Sequence, residues 1–494
     1  MSSTVPGNSA AYDRGFFGHP RGLATLFFTE MWERFGYYGL RAILILFMTA
    51  SAGNGGLGFD DGKAGAIYGL YTACAYLLCL PGGWIADRIL GQRRAVLWGG
   101  IVMGVGYTCL SVPGIVAFYL GLTLVALGTG LLKPNISTMV GQLYGANDAR
   151  RDGGFSIFYM GINIGALTAP LICGYLGQRV NWHYGFAAAA VGIGLGLIQY
   201  VWGGKYLGHA GVDPVPPESP EAGRKQIARF RGSVAGVVAI AAAIGILAWT
   251  GVVQFSAQGV ANAVGVILVL IVIVFFVWLL TVGSRTTLER KRMLAVAVLF
   301  IAAALFWAAY EQAGSTLNLF ADRNTRCSFL GYSFPPSWFQ SFNSFFILAL
   351  APIFAWLWAW LGPKDPSSPA KFALGLIFVG LGFAILIPVA SHTAVGPGWL
   401  TLTYFLHTVG ELLLSPVGLS AMTKLAPARI AGLMMGVWFL ATSVGDYISG
   451  RLASFYDTFP LPQLFGTVAA FAIVVGLILA ALVKPMKRLM GGVN

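Results

Sequence analysis

The sequence predicts an all-α membrane protein that crosses the bilayer about fourteen times. Of its 494 residues, 57% are hydrophobic and only 10% are charged, whereas soluble proteins carry about 25% charged residues. The mean hydropathy is +0.74. The apolar residues form runs of about twenty residues, which is the length that a helix needs to span the hydrocarbon core.

The predicted spans alternate with short polar segments. They cover residues 22–50, 62–86, 94–113, 115–140, 153–178, 183–203, 232–251, 257–283, 293–313, 338–361, 371–391, 398–424, 430–452 and 463–484. With both termini in the cytoplasm, and with residues at the ends of spans counted in the adjoining segments, the inside segments hold 23 of the 31 lysine and arginine residues and the outside segments hold five. The other three, Arg34, Arg41 and Lys133, lie within spans. This asymmetry is typical of membrane proteins. The net charge of +13 is therefore expected to face anionic lipid headgroups rather than nucleic acid.

The first span carries an unusual number of charges. Glu30, Glu33, Arg34 and Arg41 share one face of the helix with Tyr37 and Tyr38, given a rotation of about 100° per residue. Charges at this depth cost about 3 kcal/mol each unless they are paired or hydrated, so they predict a functional site. The alternative is a static packing network, because Glu30 and Arg34 have the i,i+4 order that favours an ion pair.

Two further spans hold polar residues among apolar ones. Lys133 stands beside the helix-breaking Pro134 in the fourth span. The side chain could snorkel to the interface, but the apolar residues on both sides favour a position at mid-depth. Asn163 in the fifth span is either a hydrogen bond between helices or a ligand contact, and the sequence leaves both open.

The segment after the second span is short and strongly charged. Residues 83–94 match the pattern G-x-x-x-D-R-x-x-G-x-R-R and resemble a loop signature of the major facilitator superfamily. Taken alone, the stretch could equally be an ordinary basic cytoplasmic loop.

The middle of the chain interrupts this pattern. Residues 204–231 form a linker rich in proline, glutamate and arginine, and the two spans that follow contain almost no polar residue. We interpret these two spans as a lipid-facing insertion. The predicted domains are therefore a six-helix bundle at 1–203, the linkers and inserted helices at 204–291, and a second six-helix bundle at 292–494.

The second bundle repeats motifs of the first. Residues 32–36 match residues 310–314 at an offset of 278, and residues 128–134 match residues 410–416 at an offset of 282. Near-equal offsets predict two related bundles, and parallel repeats of this kind place a ligand site at their interface. Glu311 and Glu411 fall at matched depths. Each could be a packing partner, but together they favour a coupled pathway.

The charges of the two halves have opposite signs and predict a zwitterionic ligand. Arg41 and Lys133 would bind its carboxylate, and Glu411 and Asn343 its ammonium group. Aromatic residues and one hydroxyl complete the candidate lining: Tyr37, Tyr76, Trp307, Trp438 and Ser415. An amino acid is too short to reach both bundles, whereas a di- or tripeptide at about 3.5 Å per residue fits better.

The source of energy is predicted to be a proton gradient. The sequence has no G-x-x-x-x-G-K-[ST] loop for ATP. Buried carboxylates next to cations change their partners when they are protonated, as in carboxylate relays of transporters. The candidate relay consists of Glu30, Glu33, Glu311, Arg34 and Lys133.

Several motifs together resemble the proton-dependent oligopeptide transporter (POT/PTR) family. Residues 30–34 match E-x-x-E-R, residues 158–165 match F-Y-x-x-I-N-x-G, and the stretches 306–312 and 410–416 are similar to its seventh and tenth core helices. The resemblance covers about 21–203 and 292–487. The two extra spans are similar to those inserted in bacterial members.

The resemblance implies a major facilitator fold and proton-coupled symport of di- and tripeptides by alternating access in the bacterial cytoplasmic membrane. It assigns to the carboxyl-terminal half of the peptide Arg41, Lys133, Tyr37, Tyr76 and Asn163. It assigns to the amino end Asn343, Glu411 and Trp438. Proton coupling would fall to Glu30, Glu33, Arg34 and Glu311. The expected partners are peptides, protons and lipids, and a monomer is one possibility that the sequence leaves open.

Other functions explain fewer of these residues. A multidrug exporter of the same superfamily needs a more apolar cavity and does not explain Arg41 with Lys133. An intramembrane enzyme is not expected, because there is no H-E-x-x-H run and the five histidines are scattered. The five cysteines have no spacing typical of a zinc site, so we expect no metal, no cofactor and no catalytic residue. A receptor function would give no role to the two acids at matched depths, Glu311 and Glu411. His407 and Asp446 receive no interpretation.

Overall fold

A computed structural model of the chain describes residues 13–145, 148–214, 216, 219–250, 256–427 and 430–491. In the first half the helices are α1 (Arg21–Thr49), α2 (Asp61–Leu77), α3 (Cys79–Ile85), α4 (Gln92–Leu110), α5 (Ile115–Gln142), α6 (Arg151–Tyr175) and α7 (Trp182–Gly203). The middle of the chain forms α8 (Pro220–Trp249) and α9 (Ala257–Thr281).

The second half continues the helical pattern. Its helices are α10 (Thr287–Tyr310), α11 (Thr316–Arg323), α12 (Ser341–Leu361), α13 (Ser368–Ala384), α14 (Pro397–Leu425), α15 (Ala431–Ala453), α16 (Leu461–Ala481) and α17 (Val483–Met490). Strands β1 (Ser328–Phe329) and β2 (Tyr332–Ser333) form a small antiparallel hairpin. The end of the molecule that carries this hairpin is called the hairpin face below, and it includes residues 50–60, 324–340 and 454–460.

The predicted all-α membrane fold is confirmed. Each of the fourteen predicted spans coincides with a long helix, the second one with α2 and α3 in succession. Ten helical segments of the described chain are long and apolar enough to cross a membrane, and α1, α4, α8 and α15 are not among them. Its charged residues explain why α1 is absent from this set, because every stretch of 18 residues within α1 contains at least three of them.

The packing follows the two halves of the sequence. In the first half α1 packs on α6 and α7, and α4 packs on α5; in the second half α13 packs on α14 and α16, and α10 packs on α15. Most described residues of α8 are exposed, and α9 packs on α2 and α10. The inserted pair is thus peripheral, in agreement with its apolar sequence. The domain boundaries themselves stay a prediction.

The two most extensive helix contacts between the halves are those of α2 with α15 and of α6 with α12. Glycine allows the first of these contacts. A Cβ atom added to Gly69 would lie 2.8 Å from the Cα atom of Gly450, so the two backbones approach each other without side chains between them.

Polar contacts close the hairpin face between the halves. The Arg323 guanidinium lies 2.7 Å from Asp61 and 3.0 Å from Asp457. The Asn318 amide donates a hydrogen bond to the carbonyl of Ala42, at 2.8 Å. Burial, and after it the neighbouring Asp61 carboxylate, raises the pKa of Asp457, so this carboxyl keeps its proton to a higher pH than a free aspartate does.

We expect Arg323→Ala to loosen the hairpin face, because the substitution leaves the buried Asp61 without its cation. The population with separated halves should grow about fivefold, as expected for an ion pair of about 1 kcal/mol. The measurement is a spin-label distance distribution between exposed positions 53 and 330, with the native cysteines replaced.

Arg326→Ala is the matched control for this prediction. Arg326 is an exposed neighbour that makes no side-chain ion pair in the described part of the chain. Identical distance distributions for the two variants would contradict the assigned role of Arg323.

Candidate functional site

The first group of charges lies within α1. The Arg34 guanidinium contacts Glu33 through both Nε and Nη2, the latter at 2.6 Å from Glu33 Oε1. Its Nε is also 3.3 Å from Glu30 Oε1. All three side chains are almost fully buried. Arg34 is therefore neutralised by two carboxylates, and it covers the Tyr37 ring at 5.0 Å.

Lys133 of α5 is held differently, by aromatic rings. Its ammonium group lies 3.6 Å from the centroid of the Tyr76 ring, 5.7 Å from that of Phe439 and 5.9 Å from that of Tyr37. Within the described residues no carboxylate lies within ion-pair distance of it, and the side chain is only partly buried. Rings attract a cation without fixing its direction, so this ammonium group is available to an anion.

The second group of charges joins the two halves of the chain. The Arg41 Nη2 atom of α1 lies 2.8 Å from Glu311 Oε2, and Arg41 Nε donates to the Tyr68 hydroxyl at 3.2 Å. Glu311 belongs to a 3-10 turn, Glu311–Gly314, in which α10 ends. A Cβ atom at Gly314 would lie 2.7 Å from Arg41 Nε, so the turn needs glycine there for Arg41 to reach Glu311.

The Arg41–Glu311 contact has the distance of an ion pair but not the alignment of a hydrogen bond. Both Arg41 Nη2 and Glu311 Oε2 are buried without a hydrogen-bond partner among the described residues. A misaligned pair gains less from the contact than an aligned one. It is therefore easier to exchange for another partner than the Arg34–Glu33 pair.

Glu411 of α14 is the centre of a third polar group. Its Oε2 atom accepts hydrogen bonds from the Tyr310 hydroxyl at 2.5 Å and from the Asn343 amide at 2.9 Å. The Asn343 amide also reaches the Thr408 hydroxyl at 3.1 Å. Glu411 and Asn343 are only partly buried, so this acidic group is not fully enclosed by protein.

The other candidate lining residues are two tryptophans and two polar residues. Trp307 and Trp438 pack edge to face, with ring centroids 6.2 Å apart, and form a wall between α10 and α15. The Ser415 hydroxyl is buried without a partner among the described residues. Asn163 is buried, and its amide donates to the carbonyl of Tyr159 one turn earlier, at 2.9 Å. In this arrangement Asn163 contacts its own helix.

Residues of both halves line one small cavity. Its volume is about 10 Å³, which is room for about one water molecule. The lining residues are Tyr38, Arg41, Tyr310, Ala313, Gln340, Asn343, Ser344, Tyr404 and His407. Arg41 and Asn343, predicted to bind opposite ends of a zwitterion, thus face the same space, and this space is closed to anything larger than water.

The structure arranges the predicted residues in groups that differ in part from the predicted ones. Glu30 and Arg34 are within ion-pair distance, as their spacing suggests. Glu311 was placed in a relay with Arg34 and Lys133, but its partner is Arg41. This pairing was not predicted, because the two residues are far apart in sequence.

The sequence assigned no role in the site to four residues around it. Tyr38 stacks with Arg41 at 5.6 Å, Tyr68 accepts from it, Tyr310 donates to Glu411, and His407 lines the small cavity. The position of Tyr38 on the charged face of α1 and the place of Tyr310 beside Glu311 were visible signals. Tyr68 gave none, because it lies in an apolar run.

Comparison with known proteins identifies relatives over the whole length. The family model described as "PTR2: POT family" matches residues 93–470. The chain is 45% identical to "Uncharacterized transporter YclF" of Bacillus subtilis (strain 168), covering 97% of both chains. It is 40% identical to "Di-/tripeptide transporter" of Lactococcus lactis subsp. cremoris, covering 98% of this chain and 99% of the relative.

A solved structure is similar as well. It is a mutant of "peptide transporter POT" in complex with alafosfalin, with a TM-score of 0.90 and 44% identity, covering 98% of this chain and 99% of that one. The similarity of fold extends over both halves and the inserted helices, so the architecture described above is that of these transporters.

We expect Glu33→Gln to destabilise the protein much more than Glu30→Gln. Glu33 makes two contacts with the buried Arg34, and Glu30 makes one longer contact. Removing one partner of a buried pair costs about 3–5 kcal/mol, whereas Glu30→Gln leaves Arg34 paired with Glu33. Thermal unfolding of both variants in the same detergent measures the difference, and equal losses would show that Arg34 does not depend on Glu33.

Proposed function

The chain belongs to the POT family of transporters, and we propose that it is a symporter that carries di- and tripeptides together with protons by alternating access. Family membership follows from the match over residues 93–470 and from the 40–45% identity with relatives along nearly the whole chain. One of these relatives is named "Di-/tripeptide transporter", which supports peptides as the substrate class.

The observation that carries the proposal is the placement of opposite charges on one shared space. Arg41 belongs to the first half, Glu411 with Asn343 to the second, and Arg41 and Asn343 line the same cavity. A peptide has a carboxylate at one end and an ammonium group at the other. Each end then finds a partner of opposite charge when the cavity opens.

The proposed binding residues follow from this polarity. The peptide carboxylate binds Arg41 and the free ammonium group of Lys133, with Tyr37, Tyr76 and Asn163 around it. The ammonium group binds Glu411 and Asn343, next to Trp438. Trp307 and Ser415 complete the wall between these ends. The rings offer broad apolar surface with few directional contacts, which suits a transporter for peptides of many sequences.

The proposed coupling uses the carboxylates that hold these cations. When Glu311 takes up a proton, Arg41 loses its counter-charge and attracts the peptide carboxylate instead. Glu30 and Glu33 hold Arg34 beside Lys133, whose electrostatic neighbours include all three residues. Proton binding and peptide binding then favour each other, which is the requirement for symport.

We place the hairpin face outside the cell and both termini in the cytoplasm, in agreement with the distribution of basic residues. The two six-helix bundles, residues 1–203 and 292–494, would rock against each other around the site, with the segment 204–291 as a peripheral insertion. The closed hairpin face corresponds to a state in which the outer entrance is shut.

We expect purified protein in liposomes to accumulate labelled dialanine only when the outside is more acidic than the inside. For one coupled proton, a difference of about one pH unit supports about tenfold accumulation. The measurement is uptake with and without the pH difference, at equal ionic composition, with free alanine as the control substrate. Accumulation that is the same in both conditions would rule out proton coupling.

We expect Glu411→Gln to weaken peptides with a free amine far more than their N-acetylated forms. A charge-assisted hydrogen bond contributes about 1.5–3 kcal/mol, so the ratio of affinities should fall by about ten- to a hundredfold. Competition with labelled dialanine measures both ligands on the same protein, and the acetylated peptide is the internal control. An equal loss for both ligands would place Glu411 outside the amino-end site.

A further inference from the structure

Asp446 of α15 is a buried acid that the functions assigned above leave unused. Its side chain is 1% exposed, and neither carboxylate oxygen has a hydrogen-bond partner among the described residues. A carboxylate without hydrogen bonds or a paired cation is strongly disfavoured in a dry interior, and such a group takes up a proton instead. The surroundings therefore favour the neutral, protonated form of Asp446 in this state.

Asp446 lies at the interface between the two halves. One turn before it, the Ser443 hydroxyl donates to the carbonyl of Ala73 in α2, at 2.7 Å. One turn after it, the Ser449 hydroxyl lies 3.3 Å from the Ser315 hydroxyl, next to the turn that carries Glu311. Residues three apart share a helix face, so Asp446 lies between α2 and this turn.

The charged groups that face Asp446 are those of the proposed site. Its electrostatic neighbours are Glu311, Arg41 and Lys133. Four phenols of the neighbouring helices α1 and α2 also have Asp446 as an electrostatic neighbour: Tyr37, Tyr68, Tyr71 and Tyr76. Asp446 thus has both proposed carboxylate-binding cations in its field and no contact with either.

The acids around the three cations Arg34, Arg41 and Lys133 are Glu30, Glu33, Glu311, Glu411 and Asp446. Five acids against three bases leave negative charge in excess. Four of the acids have partners: Glu30 and Glu33 contact Arg34, Glu311 contacts Arg41, and Glu411 accepts two hydrogen bonds. Asp446 has neither an ion pair nor a hydrogen bond among the described residues, so it is the acid of this group whose protonation breaks no contact.

We propose that Asp446 is a further protonation site of the transport cycle, which exchanges its proton with Glu311 and so controls the Arg41–Glu311 ion pair. In this exchange the O–H bond of Asp446 breaks and an O–H bond forms on Glu311, so that the net charge of the cluster does not change. Arg41 then loses its pairing with Glu311. The ionised Asp446 then replaces Glu311 as the nearby counter-charge for Arg41 and Lys133 until a peptide carboxylate arrives.

The inference rests on the proposed function, and the test separates the two. In liposomes, Asp446→Asn should reduce gradient-driven accumulation of dialanine about tenfold more than it reduces peptide exchange at equal pH, because tenfold accumulation is what one pH unit supplies through one proton. Asp446→Glu, which keeps a carboxyl group, should restore the response to the gradient. Asp322→Asn, at an exposed position, is the matched control and should accumulate dialanine like the wild type.

The results that overturn the inference are specific. If Asp446→Asn keeps the full response to the gradient, Asp446 takes no part in coupling. If exchange and accumulation fall equally and Asp446→Glu restores neither, the residue acts in packing alone. A wild-type protein that transports no peptide would contradict the proposed function instead.

A second measurement does not depend on transport. Infrared difference spectra of the purified protein in lipid, recorded on raising the pH, should show loss of a protonated-carboxyl C=O band, and this band should be missing in Asp446→Asn. An unchanged band in the variant would overturn the inference. If Asp446→Asn does not fold, Asp446→Glu is measured instead. The C=O band should then shift in frequency, because a glutamic acid replaces the aspartic acid. An unshifted band in this variant would also overturn the inference.

Discussion

The ion pair between Arg41 and Glu311 connects the first helix of one half to the broken end of α10 in the other, inside a protein that is otherwise apolar. A buried charge that loses its partner is costly, so this pair restricts how the halves can move: Arg41 must find another anion, or Glu311 a proton, before they separate. Three other features of the site affect the same ion pair. Gly314 allows the approach, Tyr68 occupies another donor of Arg41, and the misaligned contact keeps the pair exchangeable.

The three cations of the site differ in how firmly they are held, and this order suits the proposed mechanism. Arg34 has two carboxylate partners, Arg41 has one that is not aligned, and Lys133 has only ring faces among the residues described. An incoming carboxylate competes with whatever holds each cation. It gains most at Lys133, must displace Glu311 at Arg41, and gains nothing at Arg34. The same chemistry thus provides a fixed charge, a switchable charge and a free charge within a few helical turns.

The sequence predicted the helices better than the contacts between them. Apolar runs of about twenty residues located all fourteen long helices, and the i,i+4 spacing of Glu30 and Arg34 indicated their proximity. The stronger partner of Arg34 is its neighbour Glu33, which spacing does not suggest, because adjacent residues on a helix do not normally face each other. The Arg41–Glu311 pair depends on how the two halves dock, and the Tyr310–Glu411 hydrogen bond depends on how α10 and α14 pack within the second half. The matched depths of Glu311 and Glu411 predicted both acids near the site, and the predicted neighbour of Glu411, Asn343, does contact it. The partners Arg41 and Tyr310 were not predicted.

In the mechanism that we propose, the closed cavity explains why coupling needs more than attraction between a peptide and opposite charges. A space of about 10 Å³ admits no peptide, so binding requires that the residues around it separate, and the Arg41–Glu311 pair spans that separation. A proton on Glu311 removes the cost of breaking the pair, and a peptide carboxylate replaces the lost charge. Neither event alone leaves every buried charge compensated. In the proposed cycle the site opens when both occur, and this shared requirement would link the two fluxes without any direct contact between proton and peptide.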